Sequence, residues 1–267
     1  MSLLGPERVA AVETLLRTVA AEVVMPRFRN LAAHEIKEKA ADDLVTIADQ
    51  ESELRLAEGL SLILPQATVV GEEGCAADRA LIQKLGDDIV WIIDPIDGTG
   101  NFAAGRAPFG LMVALAAGGE TLAGWMFDPL GQRMCHARLG EGAYIDGERV
   151  QARGSGQDIP VTGISLLFMD PEKRQQTIAR AAGHLEMVDI PRCAAEQYPR
   201  VVLGQNDIAL FERTLAWDHA PGVLFLNEAG GQALRPDGSP YRVADPRKGL
   251  LAAASPQLWD MGARVLF

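Results

Sequence analysis

Trp91-Ile92-Ile93-Asp94-Pro95-Ile96-Asp97-Gly98-Thr99-Gly100-Asn101 is the stretch on which the reading of this chain turns. The β-branched apolar run from Ile89 to Ile93 predicts a buried strand. That strand delivers two carboxylates, Asp94 and Asp97, into a turn set by Pro95 and Gly98. Carboxylates this close repel one another unless a cation neutralises them, so the spacing predicts a hard-metal site of the Mg²⁺ type. Gly98, Thr99 and Gly100 then offer backbone N–H groups at a predicted helix start, where a phosphate is stabilised. Metal and phosphate at one strand end point to phosphoryl chemistry.

Two nucleotide-binding patterns compete for the same glycines. Gly98-Thr99-Gly100-Asn101-Phe102-Ala103 fits the looser dinucleotide fingerprint, with Glu120 downstream as the ribose partner. Only residues 101–108 separate those glycines from the next predicted strand, too few for the crossover helix of a parallel βαβ unit. No Gly-Lys-Ser/Thr occurs, which removes the P-loop reading.

At 267 residues the chain supports a full-sized core. Its net charge of −11 argues against a nucleic-acid or anionic-membrane surface. Cys75, Cys135 and Cys193 form no CxxC pair and read as reduced thiols. No apolar run approaches the roughly 18 residues of a spanning helix, and the N-terminus lacks the order of a secretory signal. A cytoplasmic protein is expected.

Outward from the central motif, periodicity predicts a helix from residue 6 to about 25, then a polar stretch over Lys37–Asp43. Thr46 reads as the N-cap of a second helix that Pro65 ends, and Val69-Val70 as a brief strand entering Gly71-Glu72-Glu73-Gly74. Strands near 109–117, 121–128, 133–139 and 143–145 predict an antiparallel meander. Arg153-Gly154-Ser155-Gly156-Gln157 reads as a linker. Beyond it strands at 161–168, 185–190, 207–211 and 250–254 alternate with helices at 171–182, 194–203, 217–229 and 255–265.

Four acidic spots carry the chemistry: Asp49, Glu72 with Glu73, Asp94 with Asp97, and Asp218 in Trp217-Asp218-His219-Ala220-Pro221. Singly each has a plain reading: a solvated helix charge for Asp49, an acidic turn for Glu72-Glu73, a first-turn helix acid for Asp218. His219 and Cys193 read as packing residues, since neither has an evident catalytic partner.

Taken together, the four spots change that reading. Asp43-Leu44-Val45-Thr46-x-x-Asp49, Gly71-Glu72-Glu73, the Asp94–Thr99 motif, the glycine-rich Gly140-x-Gly142-Ala143-Tyr144-x-Asp146-Gly147 and Trp217-Asp218 occur in the order and texture of one family. On these motifs the sequence resembles the inositol monophosphatase family, Mg²⁺-dependent and Li⁺-sensitive phosphatases, over roughly residues 7 to 260. The resemblance implies a layered αβαβα sandwich, with an α+β half over 1–153 carrying most metal ligands and an α/β half over 154–267 carrying Asp218. It implies two to three Mg²⁺ ions: one on Glu72, Asp94 and the carbonyl of Ile96, a second on Asp94, Asp97 and Asp218, a weaker third on Glu72. Gly98 and Thr99 amides would hold the phosphate, and Thr99, bonded to Asp49, would orient the attacking water, with Glu72 as a further catalytic group. Glu73 is either a support for metal-bound water or an exposed acid.

The resemblance thins on the substrate side. Where inositol-specific members carry a glutamate this chain has Phe211, with Glu212 one residue on, and the stretch usually Gly-Ser/Thr-Ala reads Arg192-Cys193-Ala194. A lysine that some members carry aligns with Glu38, between Lys37 and Lys39. Arg192 suits either a second anionic group on the substrate or a pairing with Asp189 or Glu196. The function expected is hydrolysis of a small phosphate monoester, inositol 1-phosphate first, with histidinol phosphate, 3′-phosphoadenosine 5′-phosphate and fructose 1,6-bisphosphate as alternatives. A homodimer is implied by the family. A non-catalytic binding role in transcription machinery, held by some bacterial relatives, is the alternative class, and the acidic balance speaks against it.

Overall fold

The computed structural model describes residues 3–40 and 43–267, the side chains of Ala40 and Asp43 excepted; residues 41 and 42 of the polar stretch lie outside the described residues. The apolar stripe of the first helix, α1 (Pro6–Val19), packs with α2 (Ile47–Ile63) against one sheet. The periodicity predicted α1 to run on to about 25. Instead the chain passes through a π turn at Ala20–Val24 and a 3₁₀ turn at Met25–Arg27, because Pro26 has no amide hydrogen to continue the ladder. Between the helices, β1 (Ile36–Ala40) and β2 (Asp43–Thr46) form an antiparallel hairpin where a polar stretch was expected. Thr46 caps α2 as its sequence position predicts.

The large sheet has seven strands in chain order: β3 (Thr68–Gly71), β4 (Val90–Asp97), β5 (Gly110–Ala117), β6 (Glu120–Asp128), β7 (Arg133–Arg138), β8 (Gly142–Ile145) and β9 (Glu148–Val150). Only the β3–β4 pair is parallel; the rest is the predicted meander. Both faces are covered, so β4 and β5 read as continuous apolar runs rather than alternating ones. Trp91, Ile93, Leu111 and Val113 face α1 and α2. Ile92, Met112 and Ala114 face a middle layer formed by α6 (Ala194–Val202) and α7 (Ala216–Glu228).

That middle layer packs by its other side on a five-stranded sheet. Its members are β10 (Val161–Ile164), β11 (Glu186–Val188), β12 (Ile208–Phe211), β13 (Gln232–Leu234) and β14 (Leu250–Ala253), in the order β11-β10-β12-β14-β13. β11, β10 and β12 are parallel; β14 runs against β12 and β13. Two further helices, α5 (Pro171–Ala181) and α8 (Pro256–Leu266), cover the outer face over Ile208, Leu210, Leu251 and Ala253. The stack is therefore α, β, α, β, α, as expected. β10 ends four residues earlier than its apolar run predicts: the Arg174 guanidinium donates to the carbonyls of Leu166, Leu167 and Met169 and closes that segment into a turn. Strands β9 and β13, three residues each, had no distinct sequence signal. No helix among the described residues is long and apolar enough to cross a membrane.

Glycines let the middle layer sit close. A Cβ on Gly124 of β6 would lie 2.6 Å from Pro221 Cα of α7, and one on Gly222 would lie 2.0 Å from the Tyr198 ring of α6. The helix that carries Asp218 thus rests directly on the large sheet.

Candidate functional site

β4 is buried along its whole length and ends in the two aspartates. Alternation alone would send Asp94 and Asp97 to opposite faces of the sheet. Pairing with β5 runs regularly to Asp94 opposite Met112, breaks, and resumes at Asp97 opposite Gly110. Pro95, which cannot donate to the ladder, lies in the break. The bulge reverses the parity of the strand: Ile96 joins Trp91 and Ile93 under α1 and α2, which leaves Asp97 on the side of Ile92 and Asp94.

A short helix, α3 (Glu72–Ala77), begins where β3 ends beside β4, and Asp218 is the third residue of α7. Glu72, Asp94 and Asp218 each bring a carboxylate oxygen within 4.8 Å of the others. Asp94 is 1 % exposed, and its Oδ1 has no hydrogen-bond partner among the described residues. A buried polar atom without a partner is costly, and a hard divalent cation on three converging oxygens would satisfy it. The donor set fits such an ion. Burial and neighbouring acids push Asp94 well above the usual carboxylate range; burial raises Asp218 against the opposing pull of Arg213, 3.6 Å away. Asp97 is raised too, by burial, while its Oδ2 accepts the Ala195 amide at 2.6 Å.

Asp49 is not a solvated helix charge. It is 1 % exposed and closes the capping box of α2, with Oδ2 accepting the Thr46 amide and hydroxyl at 2.8 and 2.5 Å. Its Oδ1 lies 3.1 Å from Thr99 Oγ1, which is also 2.9 Å from the Ile96 carbonyl. Burial lifts its pKa to about 7. Gly98, at φ 84°, occupies the left-handed region, and a Cβ there would press on the Pro108 carbonyl and on Cys193. The short helix α4 (Thr99–Ala103) starts from it. Asn101 ties the loops together, donating to the carbonyls of Pro108 and Pro191.

Three positioning residues surround these acids, and of them only Lys39 was singled out in the sequence. Glu53, one helical turn after Asp49, accepts the amides of Glu73 and Gly74 at 2.7 Å each, and Gly71 leaves no room for a Cβ against it. Burial pushes Glu53 up to about 7 despite those bonds. Lys39, on the hairpin, reaches Glu72 at 2.8 Å and Glu73 at 2.9 Å, so Glu73 is half-buried and paired rather than a solvated acid. Burial works against the Lys39 ammonium, yet the two carboxylates hold its pKa above the ordinary range. Arg213 is the third. The partners of Glu53 and Lys39 lie 20 or more residues away, and Arg213 meets Asp218 across the turn that precedes α7, so none of the three sits in a local pattern.

The substrate-side expectations fare differently. Phe211 stacks on Tyr198 at 5.3 Å and meets the His219 ring edge-on at 4.7 Å. Glu212 is turned the other way, buried and paired with Lys173 of α5 at 2.6 Å. It lines a cavity of roughly 450 Å³ with Lys173, Arg180 and Lys248, apart from the acidic cluster. The reason is strand alternation at the end of β12, and it corrects Glu212 as a sugar-facing residue. Arg192 is exposed in the left-handed region at φ 55°. Its expected partner Glu196 is held instead by Arg133 and Arg200. Ala194 is buried at the start of α6. His219 is an anchor: Nε2 faces the Arg213 carbonyl, so that nitrogen carries the hydrogen and Nδ1 accepts from Tyr198. Burial drops its pKa to about 3.

A profile of the inositol monophosphatase family matches residues 6–265. The chain belongs to the inositol monophosphatase family. Family members are metal-dependent phosphatases, and this one is a phosphoric monoester hydrolase. Among curated relatives it is 29% identical over 203 residues to Inositol-1-monophosphatase of Bacillus subtilis, covering 75% of each chain. It is 31% identical over 221 residues to the Nus factor SuhB of Escherichia coli K12, covering 79% of each. Among solved structures it is similar to the Thermotoga maritima IMPase, with a TM-score of 0.80, 24% identity and coverage of 97% of this chain and 98% of that one. The last likeness bears on fold alone, and it agrees with the five-layer stack.

Proposed function

We propose that the protein hydrolyses a small phosphate monoester with Mg²⁺ held by Glu72, Asp94, Asp97, Asp218 and the carbonyl of Ile96. The observation that carries this reading is the convergence of Glu72, Asp94 and Asp218 within 4.8 Å beside the Thr99–Asp49 pair. Ions bound there would neutralise the acids, lower the pKa of a water and stabilise phosphoryl oxygens.

The chain's own groups do the rest. Amides at Gly98 and Thr99 hold the phosphate against the turn. Thr99 Oγ1 lies between two acceptors, the Ile96 carbonyl and Asp49. It orients the attacking water and passes a proton toward Asp49, whose pKa of about 7 makes it a better base than a surface carboxylate. Lys39 and Arg213 balance part of the acidic charge at the rim. Because Phe211 has no hydrogen-bonding group and Glu212 faces away, these two positions offer sugar hydroxyls no carboxylate. That disfavours inositol 1-phosphate, the first expectation.

The test is phosphate release from inositol 1-phosphate, histidinol phosphate, 3′-phosphoadenosine 5′-phosphate and fructose 1,6-bisphosphate, with and without Mg²⁺ and with added Li⁺. Mg²⁺-dependent, Li⁺-inhibited release that Asp218→Asn abolishes supports the reading. Release that persists in a chelator overturns it.

A further inference from the structure

We propose that the cavity of roughly 450 Å³ between α5, α8 and the end of β12 is a second ligand site, for a small hydroxylated organic anion, a phosphate or a carboxylate. Its size falls in the range of about 300–1,000 Å³ usual for small-molecule sites. The end of β12 separates it from the acidic cluster. Alternation sends Leu210 to the outer core under α5 and α8 and Phe211 to the middle layer. Glu212 returns to the outer side, where it lines the cavity together with Leu210.

The inner groups are polar and held in place. Glu212 is 6 % exposed, and its Oε2 accepts from Lys173 at 2.6 Å. Its Oε1 takes no hydrogen bond among the described residues. The Gly249 amide donates to the Glu212 carbonyl at 3.0 Å, which ties the approach to β14 against the end of β12. From α5, Thr177 also lines the cavity; it is 5 % exposed, and its hydroxyl has no hydrogen-bond partner among the described residues. Thr14 of α1, by contrast, turns its hydroxyl back onto the Ala10 carbonyl. A buried hydroxyl left unpaired is costly. A ligand hydroxyl that donates to Glu212 Oε1, or accepts from Thr177 Oγ1, would use what the chain leaves open.

The mouth carries cations. Lys248 is exposed and makes no ion pair among the described residues, whereas its neighbour Arg247 is taken by Asp237 and Asp245. Arg180 donates one N–H to the Leu266 carbonyl at 2.8 Å and likewise makes no ion pair among the described residues, so the rest of its fork suits a phosphate or a carboxylate. The acids nearby are engaged: Asp170 accepts the Lys173 amide at the start of α5, and Glu172 accepts from Gln176. A bare inorganic anion would meet the Glu212 carboxylate inside, and a neutral polyol would leave both cations unused. Acceptors within and cations outside therefore select a molecule with hydroxyls at one end and an anion at the other. Leu210, Pro236 and Leu266 give its carbon skeleton an apolar wall.

The experiment is calorimetric titration of the protein, with Mg²⁺ present, using gluconate for the carboxylate and the methylene phosphonate isostere of glucose 6-phosphate for the phosphate. The phosphonate has no ester bond for a phosphatase to cleave. Acetate and glucose, each carrying one end of the ligand alone, are the controls. The expected result is a Kd below about 1 mM for one of the two-ended compounds and at least about tenfold weaker binding of both controls. Thr177→Val should weaken that binding about two- to tenfold, the range of one neutral hydrogen bond. Lys248→Gln should weaken it about three- to tenfold, as befits an exposed, screened charge. Asp94→Asn, in the acidic cluster, should leave it intact. Failure of both two-ended compounds to bind overturns the inference, and so do controls that bind equally well. Titrations that neither Thr177→Val nor Lys248→Gln shifts, in protein shown to be folded by circular dichroism, overturn it too, as does binding that Asp94→Asn abolishes.

Discussion

Adding one methyl group at Gly124, 97 residues before Pro221 in sequence, should disable the site from behind. The new Cβ would lie 2.6 Å from Pro221 Cα and 3.1 Å from the Pro221 carbonyl oxygen. Ordinary carbon contacts are about 3.5–4.0 Å, so α7 must lift by about 1 Å or β6 must give way. β6 is pinned by β5 and β7 on either side, and the opposing atoms are backbone, so the helix moves. Overpacking of this kind costs about 1–3 kcal/mol, of which the lower chain entropy of alanine returns about 0.5–1 kcal/mol. The mid-range net is about 1 kcal/mol, and at roughly 2–4 °C per kcal/mol for a chain near this size Tm should fall by about 2–4 °C. Asp218 rides on the lifted helix, three residues before Pro221, and a displacement near 1 Å lowers turnover by about 100-fold. The assay pairs thermal melts with Mg²⁺-dependent phosphate release. Gly86→Ala is the control, because its Cβ would meet only Ala244 Cβ at 3.9 Å. If Gly124→Ala keeps the wild-type Tm and turnover while folded, the argument that glycine sets the seating of Asp218 is wrong.

Three other outcomes are expected. Asp94 is raised by burial and by Glu72, so the folded chain binds its proton more tightly than the unfolded chain does; metal-stripped protein therefore loses stability as pH climbs above about 4, and Asp94→Asn should flatten that decline in Tm while abolishing Mg²⁺-dependent turnover. His219 has the opposite sign: with a folded pKa of about 3 against about 6.5 unfolded, stability falls as pH drops below about 6.5, by about 2 kcal/mol at pH 5, and a denaturant series on His219→Gln should show that increment gone. Thr99→Ala should lower kcat by at least about tenfold with a smaller change in KM; a defect confined to KM in steady-state kinetics would show that Thr99 only binds phosphate.

The parts of this architecture legible in the sequence are those whose signal is local. The apolar run into Asp94, the left-handed glycine at Gly98, the Thr46 cap and the meander each follow from neighbouring residues and short-range chemistry. The β1–β2 hairpin was illegible because Lys37, Glu38 and Lys39 carry charge on both faces of a two-stranded ribbon with no core to imprint a period. Read singly, Asp49 passes for a solvated charge because its bond to Thr99 spans 50 residues, and only the family resemblance paired the two in the sequence. Glu53 bonds only to backbone amides, which any residue type supplies. Phe211 and Glu212 are adjacent in sequence but face different layers, a distinction only the end of β12 decides.

The spacing of Asp49 and Glu53 along α2 has a consequence for motion. One end of a single helical turn holds the hydroxyl of Thr99, and the other clamps the two amides that follow Glu72. Helix α2 is thus a ruler whose graduations are one pitch apart, about 5.4 Å. When it rocks against the sheet, the proton-accepting side and the ion-holding side are carried along together. Their displacements are common-mode, so the gap between them fluctuates less than either position alone. Warming should therefore blur where the centre sits in the molecule well before it blurs the distances within the centre.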